Sequence, residues 1–511
     1  MEINKRKFKK IPMRYLIAML ITILEIVLII GVVVLSCYYI PHFYICALIT
    51  QFLCVLKIIS SDDNPDYKVP WLAVVMGLPV IGFMLYFIFS SRKLKSKYVK
   101  KLKNLYKNAY FKDDEFEFSL LQKQDKEAYN QFKMLSKISG AKLFNDTNLE
   151  YFSDINALNK KLLLDLENAK DFIFLEFFII EKGEFFDNIL KVLSKKAIDG
   201  VDVRIVFDDI GCMRTLPSNY SKMLKKANIT ALPFSRLKGS ADSEFNNRNH
   251  RKMIIIDGKI AYTGGFNLAD EYLNLIERFG YWKDSGLRLE GNAVWELTKL
   301  FTIDYGINEK EKKALPEVLY PENKICNESG FIMPFGDGPK PLYKRRVAKS
   351  TIQNLVASAK DYVYITTPYL IIDNDLLTDI ENASLRGVDV KIFTPSIPDK
   401  KLVNLMTKSY YHRLMTAGVK IYEYTPGFLH AKTYLVDDKY ALLGTINLDY
   451  RSLVHHFENG VLIYKLNVIE EVKLDVEDVL NNSKLIEKND LKSGVFRRFL
   501  SSILRFFAPL M

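Results

Sequence analysis

Three long apolar runs open the chain, at about residues 15–36, 38–59 and 70–90. Each run is close to the roughly 20 residues that an α-helix needs to cross a bilayer. Proline and glycine interrupt the third run, which favours a re-entrant or interfacial segment there over a third crossing. We therefore predict a membrane anchor over residues 1–100 that contains two or three hydrophobic segments.

Basic residues flank the apolar runs on both sides, with six Lys or Arg between residues 5 and 14 and seven between residues 92 and 103. Positive charge beside membrane helices is normally kept on the cytoplasmic side. Both flanks satisfy this rule if the first two runs form a hairpin, whereas three crossings leave one flank in violation. We expect a multi-pass protein of the cell membrane whose remaining chain lies in the cytoplasm.

Beyond the anchor the sequence repeats itself. Residues 169–172 read AKDF and residues 359–362 read AKDY, and each stretch precedes an apolar run. Further on, residues 200–205 read GVDVRI and residues 387–392 read GVDVKI. Apolar strands alternating with helical stretches predict an α/β fold in which two similar halves each carry a largely buried sheet. The predicted organisation is a linker at 101–135, halves at 136–325 and 326–490, and a terminal helix at 491–511.

Two stretches in this repeat share a pattern of His, one residue, Lys, four residues and Asp. They read HRKMIIID at 250–257 and HAKTYLVD at 430–437, and each is followed by Gly-x-x-Asn. Side chains alternate along a strand, so the His and Lys of each stretch lie on one face. The candidate catalytic residues are His250, Lys252, Asp257, His430, Lys432 and Asp437, and the candidate phosphate ligands are Asn267 and Asn447.

These residue types suit group transfer at a phosphorus atom. Lysine supplies positive charge to phosphate oxygens, and asparagine supplies a neutral hydrogen-bond donor. One imidazole attacks phosphorus while a second imidazole protonates the leaving oxygen, so each copy of the motif is half of a site. Because the lysines and asparagines stabilise the charge, we expect neither a metal ion nor another cofactor.

Each catalytic imidazole also needs a partner on its other ring nitrogen. Asp284 follows His250 by 34 residues, and Glu458 follows His430 by 28 residues. We predict that these two carboxylates orient the histidines. The aspartates of the motifs themselves stand at strand ends, where fixing a turn is a more plausible role than catalysis. The remaining histidines receive no catalytic role, although two of them border Glu458: His42, His412, His455 and His456.

The amino-acid composition indicates which kinds of partner the protein binds. The net charge is +12, which favours anionic partners such as acidic lipids, phosphate esters or nucleic acid. The basic residues concentrate beside the membrane segments, which disfavours a nucleic-acid groove. The five cysteines lack the spacing of a zinc site or a disulfide framework.

The paired motifs resemble those of the phospholipase D superfamily. The phrases RFGYWKDSGLRLEG, TTPYLIIDNDLL and HAKTYLVDDKYALLGTINLDYRSLVHHFENG, with the membrane-anchored start, resemble bacterial cardiolipin synthases from about residue 60 onward. The resemblance implies two fused phospholipase D-like α/β sandwich halves with pseudo-twofold symmetry. It also implies phosphatidyl transfer between two phosphatidylglycerol molecules, with phosphatidyl-His250 as intermediate and His430 as acid and base. One departure is that the serine usual in the family after the motif's glycine is replaced by Gly265 and Thr445.

Other functions stay open at this stage. A phospholipase D-type hydrolase or another phosphatidyltransferase uses the same motifs, and a membrane-tethered nuclease or an inactive lipid-binding scaffold is less favoured. The terminal helix at 491–511 alternates basic and apolar residues at helical spacing, which suits an anionic membrane interface. Docking on the protein's own surface is the competing role for that helix. The expected partners are phosphatidylglycerol and anionic membrane lipids, and an oligomer is possible.

Overall fold

A computed structural model describes residues 13–78, 80–90, 99–101, 105, 114–236, 246–308, 330–343, 345–491 and 494–510. The basic stretches at 5–10 and 92–97 and the predicted boundary at 325–326 lie outside the described residues.

Two long helices, Met13–Tyr39 and Pro41–Ile59, contain the first two apolar runs. Within them, the windows Met19–Ser36 and His42–Ile59 are long and apolar enough to cross a membrane. The buried share is 0% of the first window and 17% of the second, so neither helix is the core helix of a soluble domain.

The third apolar run is broken into two short helices, Pro65–Gly77 and Ile81–Phe89. At 1.5 Å per residue they are about 20 Å and 14 Å long, whereas a bilayer core is about 30 Å thick. Gly82 lies against the first of them, because a Cβ there would stand 2.3 Å from the carbonyl oxygen of Val74. The two helices therefore pack as a tight hairpin, and neither is long enough to cross alone.

The linker predicted over residues 101–135 needs a correction from residue 114 onward. Two helices, Glu115–Gln124 and Lys126–Ser139, cover this part of the chain. Phe132 and Leu135 are fully buried in the core of the second half, so the helices belong to that half. The high charge of the segment hides a narrow apolar face that repeats at helical spacing.

The first half is built on a seven-stranded sheet in the order β1-β8-β6-β5-β2-β3-β4. Its strands are β1 Thr147–Phe152, β2 Phe172–Phe177, β3 Asp202–Asp208, β4 Thr230–Phe234, β5 Met253–Ile256, β6 Ile260–Gly264 and β8 Gly286–Gly291. Its helices are Ile155–Glu167, Glu184–Ile198, Tyr220–Lys225 and Val294–Asn308. The short strand β7, Tyr281–Lys283, lies outside this sheet.

The second half has an eight-stranded sheet in the order β19-β13-β12-β10-β15-β16-β18-β9. Its strands are β9 Phe331–Asp337, β10 Tyr362–Thr366, β12 Asp389–Pro395, β13 Lys420–Tyr424, β15 Thr433–Val436, β16 Tyr440–Gly444, β18 Glu458–Tyr464 and β19 Ser483–Leu485. Its helices are Val347–Ser358, Asn374–Leu385, Lys401–Thr416 and Val468–Asn481. Three short strands lie outside the sheet: β11 Leu370–Ile371, β14 Gly427–Leu429 and β17 Leu448–Asp449.

The two sheets repeat one topology. Reading β9 to β13 in the second sheet gives the same order as β1 to β4 in the first, with β19 added at the edge. The strand directions agree as well, since β2-β3-β4 and β10-β12-β13 are parallel and the other pairs are antiparallel. The duplication that the sequence predicts is therefore a duplication of the fold.

The inner faces of the sheets share one apolar core. Alternation along β5 sends Ile254 into the core of the first half and Ile255 into the layer between the halves. Leu435 of β15 enters the same shared layer, while Tyr434 points to the outer core of its own half. The ends of β5 and β15 that carry the two motifs therefore meet at one interface.

The terminal helix is Val495–Phe507. Leu504 packs against the core of the second half, and Ala508 beyond the helix is buried. Phe499 and Ile503 on the other side stay exposed, at 63% and 39%. The helix therefore docks by one face and presents a second apolar face outward.

Candidate active site

The two motif histidines lie together at the interface of the halves. His250 and His430 are each 7% exposed, and Lys252 and Lys432 are fully buried beside them. Lys252 Nζ donates to the carbonyl oxygen of its own His250 at 2.7 Å, and Lys432 Nζ donates to that of His430. Both lysines lower the pKa of both histidines, so the four side chains form one electrostatic unit.

Each histidine is held by a carboxylate from the opposite half. His250 Nδ1 lies 2.9 Å from Glu458 Oε2, and His430 Nδ1 lies 2.6 Å from Asp284 Oδ2. Asp284 and Glu458, which the sequence predicts as orienting residues, therefore lie within hydrogen-bond distance of the two histidines. The spacing along the chain, however, suggests pairs within each half, and the structure has the partners exchanged.

Backbone pairing between the halves causes this exchange. Strand β14, just before His430, pairs in parallel with β7, just before Asp284. The other motif repeats the arrangement, because Asn249 bridges to Phe457 and the His250 N–H donates to the Phe457 carbonyl oxygen at 2.9 Å. Each histidine is thereby set beside the carboxylate of the other half, and neither half completes the site alone.

The two carboxylates are supported differently. Glu458 accepts hydrogen bonds from Thr445 Oγ1 at 2.5 Å and from Ser452 Oγ at 2.7 Å. Asp284 accepts from the Ser285 N–H at 2.9 Å, and it fills the space beside Gly265, where a Cβ would lie 2.0 Å from Asp284 Oδ1. This contact gives a reason why glycine replaces the hydroxyl residue in the first half.

Burial sets the protonation of the site. Loss of solvent, followed by the two lysines, holds the pKa of His250 and of His430 well below the usual range. Burial also lowers the pKa of Lys252 to about 7 and that of Lys432 to about 8. It raises the pKa of Asp284 to about 6.

The predicted phosphate ligands lie after strands β6 and β16. Asn267 Oδ1 accepts from the Ile179 N–H at 3.1 Å, and its Nδ2 donates to Tyr272 Oη at 2.6 Å. The side-chain oxygen of Asn447 is buried and has no hydrogen-bond partner among the described residues. Asn447 donates its backbone N–H to Ser452 Oγ at 2.9 Å, which links it to the hydroxyl that supports Glu458.

Asp257 and Asp437 stand away from the histidines, and the catalytic role assigned to them from the motif needs correction. Five residues of extended chain separate Lys252 from Asp257, which is about 16 Å. The Asp257 carboxylate accepts the backbone N–H groups of residues 170, 171 and 172 at 2.8 to 2.9 Å. Asp437 does the same for residues 360, 361 and 362. They join each motif to the repeated AKD stretch, which fixes the start of β2 and of β10.

Sequence reasoning missed the residues that support the orienting pair. Thr445, 15 residues after His430, was noted only as a replacement for the family's serine, and no spacing rule singled out Ser452, 22 residues after His430. His456, which the sequence places beside Glu458 without a catalytic role, has its ring centroid 5.4 Å from that of His250. Trp282 takes the corresponding position beside His430, at 5.3 Å. Aligning the two halves on their carboxylates would have brought this last pair together.

The fold and the shared two-histidine site define the class of the protein, the phospholipase D superfamily. The structure of phosphatidylserine synthase from Haemophilus influenzae matches with a TM-score of 0.58 at 16% identity, covering 74% of this chain and 96% of that chain. At such identity the likeness shows the fold alone. The family model "Cardiolipin synthase, PLD-like domain" matches residues 162–278 and 352–479, and the model "Phospholipase D-nuclease N-terminal" matches residues 49–90.

Relatives of similar length narrow the class. A cardiolipin synthase of Halalkalibacterium halodurans is 31% identical over 468 residues, which are 91% of this chain and 92% of that protein. One from Geobacillus kaustophilus is 30% identical over 460 residues, 89% and 91% of the two chains. An uncharacterized protein of Streptococcus mutans is 37% identical over 463 residues, 89% and 99%. The chain belongs to the cardiolipin synthase family, and it is a membrane protein.

Proposed function

We propose that this protein is a cardiolipin synthase that transfers a phosphatidyl group from one phosphatidylglycerol to another and releases glycerol. The observation that carries the proposal is the pair of buried histidines, each held at Nδ1 by a carboxylate of the opposite half. With Nδ1 occupied, Nε2 of each ring is the nitrogen available to the substrate. Two such nitrogens supply one nucleophile and one proton carrier.

His250 is the nucleophile in this proposal. Glu458 already accepts two hydroxyl hydrogens, so it also receives the Nδ1 hydrogen of His250 and leaves Nε2 with a free electron pair. Nε2 attacks phosphorus, the bond from phosphorus to the glycerol oxygen breaks, and that oxygen takes a proton from His430. The products of this step are phosphatidyl-His250 and glycerol.

The second step runs the same chemistry with a new alcohol. A hydroxyl of the second phosphatidylglycerol gives its proton to His430, and its oxygen attacks phosphorus. The phosphorus–nitrogen bond breaks, which frees His250 and forms cardiolipin. Asp284, with its pKa raised to about 6, supports the proton on His430 near neutral pH.

Charge at the phosphate is balanced by the two lysines, with Asn267 and Asn447 as neutral donors. A phosphodiester between Lys252 and Lys432 offsets the positive charge that holds the pKa of His430 down, so substrate binding itself helps His430 to carry a proton. Such preorganised donors stabilise the charge on the phosphoryl oxygens in the transition state.

Burial favours a lipid alcohol over water as the acceptor. Both histidines are 7% exposed, so bulk water has little access to the phosphatidyl-histidine. The membrane part contacts the second half, because Asp66 accepts from Tyr450 Oη at 3.4 Å and from the Asn374 N–H at 2.5 Å.

We further infer that residues 13–59 cross the membrane twice and that the catalytic halves lie on the cytoplasmic side. The short-helix hairpin at 65–89 rests at the interface and holds the halves there, since Asn64 Nδ2 donates to Asp375 Oδ2 at 2.9 Å. The exposed face of the helix Val495–Phe507 contacts the same leaflet. Accessibility of a cysteine introduced in residues 60–64, compared with one in the halves, tests this topology in right-side-out vesicles.

The test of function is the purified protein in vesicles of phosphatidylglycerol, followed by lipid analysis. The expected products are cardiolipin and glycerol in equal amounts. Phosphatidic acid with glycerol and no cardiolipin would mean hydrolysis instead, and no turnover of phosphatidylglycerol would refute both. His250→Ala, checked for folding by circular dichroism, is the matched inactive control.

A further inference from the structure

A third imidazole stands next to the nucleophile and has no role in the proposed transfer. The ring centroid of His456 lies 5.4 Å from that of His250 and 6.4 Å from that of Phe178. The His456 side chain is 11% exposed, and its Nδ1 lies 3.6 Å from Glu458 Oε1. It therefore faces the same carboxylate that holds His250.

Both ring nitrogens of His456 are buried without a hydrogen-bond partner among the described residues. An unsatisfied buried polar group costs about 1–3 kcal/mol, so its presence asks for a ligand that satisfies it. A neutral imidazole is the form that ligates metal ions.

The backbone brings His456 to this place by an unusual turn. Residues Arg451–His455 form one turn of π-helix, which closes when the His456 N–H donates to the Arg451 carbonyl oxygen at 2.8 Å. Single π-turns occur frequently at functional sites. The first half has a 3₁₀ helix, Asp270–Leu273, after its own motif instead, and Trp282 stands where His456 does. Indole cannot ligate a metal, so the feature is confined to one half.

His250, His456 and Glu458 together have the donor set of a zinc-type site. Their ligand atoms all lie within 4.8 Å of one another. The individual separations are 2.9 Å between His250 Nδ1 and Glu458 Oε2 and 3.6 Å between His456 Nδ1 and Glu458 Oε1. Ligand atoms at 2.0–2.1 Å from one tetrahedral zinc ion are about 3.3 Å apart. Two histidines and one glutamate form a known zinc donor set.

Residues around the three ligands both support metal binding and limit its affinity. Thr445 and Ser452 hold the glutamate as the outer partners of a metal ligand do. Glu458 supplies the negative charge, and Lys252 and Lys432 oppose a dication from the same interface. A metal ion here replaces the Nδ1 hydrogen of His250 and withdraws electron density from the nucleophile.

We propose that His250, His456 and Glu458 bind a transition-metal dication of the zinc type and that this binding switches off phosphatidyl transfer. The proposed metal binding does not depend on the proposed function. The proposed inhibition of phosphatidyl transfer rests on it. No electron or group is transferred, since the ion displaces one proton and nothing else.

The experiment uses the full chain in detergent, with Co2+ as a spectroscopic probe and Zn2+ as the inhibitor. We expect one Co2+ per chain with the absorption of a tetrahedral site, and displacement of it by Zn2+. His456→Asn is expected to weaken Co2+ affinity by at least about 100-fold, because it removes one of three protein ligands. His412→Gln is the matched control, since His412 is exposed on the helix Lys401–Thr416 and lies outside the cluster.

Activity gives the second readout, with each variant compared with its own zinc-free rate in phosphatidylglycerol vesicles. Zinc is expected to inhibit the wild-type protein and the His412→Gln variant alike, and a chelator is expected to restore both. Absence of a tetrahedral Co2+ spectrum in the wild-type protein overturns the binding. A His456→Asn variant as sensitive to zinc as the wild type overturns the assignment of the site. His456→Phe repeats the test with a ring of similar size if the Asn variant folds poorly.

Discussion

The two halves share one topology, yet they surround their histidines with different chemistry. His250 has a glutamate fixed by two hydroxyl groups and a second imidazole at 5.4 Å. His430 has an aspartate packed against Gly265 and an indole at 5.3 Å.

This difference shows how a duplicated fold divides one reaction. The hydroxyl-bound carboxylate fixes the tautomer of His250, which suits a nucleophile. Asp284, whose pKa burial raises to about 6, suits the partner of a histidine that gains and loses a proton. Symmetry of the backbone brings the two together, and asymmetry of a few side chains assigns the roles.

Replacing each histidine with glutamine is expected to give the largest loss of activity and to distinguish the nucleophile from the proton carrier. With phosphatidylglycerol, His250→Gln and His430→Gln are each expected to lose about 10⁴-fold or more in turnover. A phosphatidyl ester of p-nitrophenol needs no proton on its leaving group. With it, His430→Gln is expected to keep a burst of nitrophenolate, while His250→Gln shows none. Stopped-flow absorbance measures the burst, and a burst from His250→Gln alone would reverse the assignment.

A smaller effect separates the supports of the two carboxylates. Gly265→Ala puts a Cβ 2.0 Å from Asp284 Oδ1 and must displace that carboxylate from His430. Such a displacement is expected to cost about 10²-fold in kcat. The matched variant at the corresponding position, Thr445→Ala, removes one hydrogen bond from Glu458 and is expected to cost about tenfold. Equal losses in steady-state assays of the two variants would contradict the difference between the halves.

The pH dependence of kcat/KM is expected to follow the titration of the carboxylate and the two lysines of the site. Below about pH 6 Asp284 takes up a proton and no longer supports the charge on His430, so kcat/KM falls toward acid. Above about pH 7 to 8 Lys252 and then Lys432 lose their protons, so phosphate binding weakens toward alkali. We expect a bell-shaped profile of kcat/KM with its maximum between about pH 6 and pH 7. Lys252→Arg, which stays charged, is expected to move the alkaline limb upward, and an unmoved limb would exclude Lys252.

The smallest effect on activity is expected where the halves are alike. Asp257→Asn and Asp437→Asn weaken the same three backbone hydrogen bonds in each half. Each is expected to lower the free energy of unfolding by about 1–2 kcal/mol and to leave kcat within about threefold. Denaturant unfolding and steady-state rates measure the two quantities. A large loss of kcat in a stably folded variant would return these aspartates to the catalytic set.

The sequence predicts the repeat and the buried strands because both depend on local patterns. Ile254 and Ile255 follow the alternation of a two-sided strand, and the GVDV stretches lie at strands that align in the two sheets. The positions of His250 and His430 follow from the same regularity. Local pattern therefore suffices wherever an element packs within its own half.

The exchange of carboxylates could not be predicted, because it arises from β7 pairing with β14 across 146 residues of chain between Asp284 and His430. The packing of the helices at 115–139 was not predicted for a related reason, since their core contacts belong to the second half and not to their sequence neighbours. From the sequence, Gly265 is only the loss of a hydroxyl group. In the structure, the absence of a side chain at Gly265 leaves space for the Asp284 carboxylate.

The exchange of carboxylates between halves is the central claim, and one measurement tests it most directly. The burst of nitrophenolate from the activated phosphatidyl ester is compared in Glu458→Gln and Asp284→Asn. If Glu458 orients His250, Glu458→Gln is expected to slow the burst by about 10³- to 10⁴-fold. Asp284→Asn is then expected to keep a fast burst and to slow only turnover with phosphatidylglycerol. A slow burst in Asp284→Asn with a fast one in Glu458→Gln would contradict the exchange and restore pairing within each half.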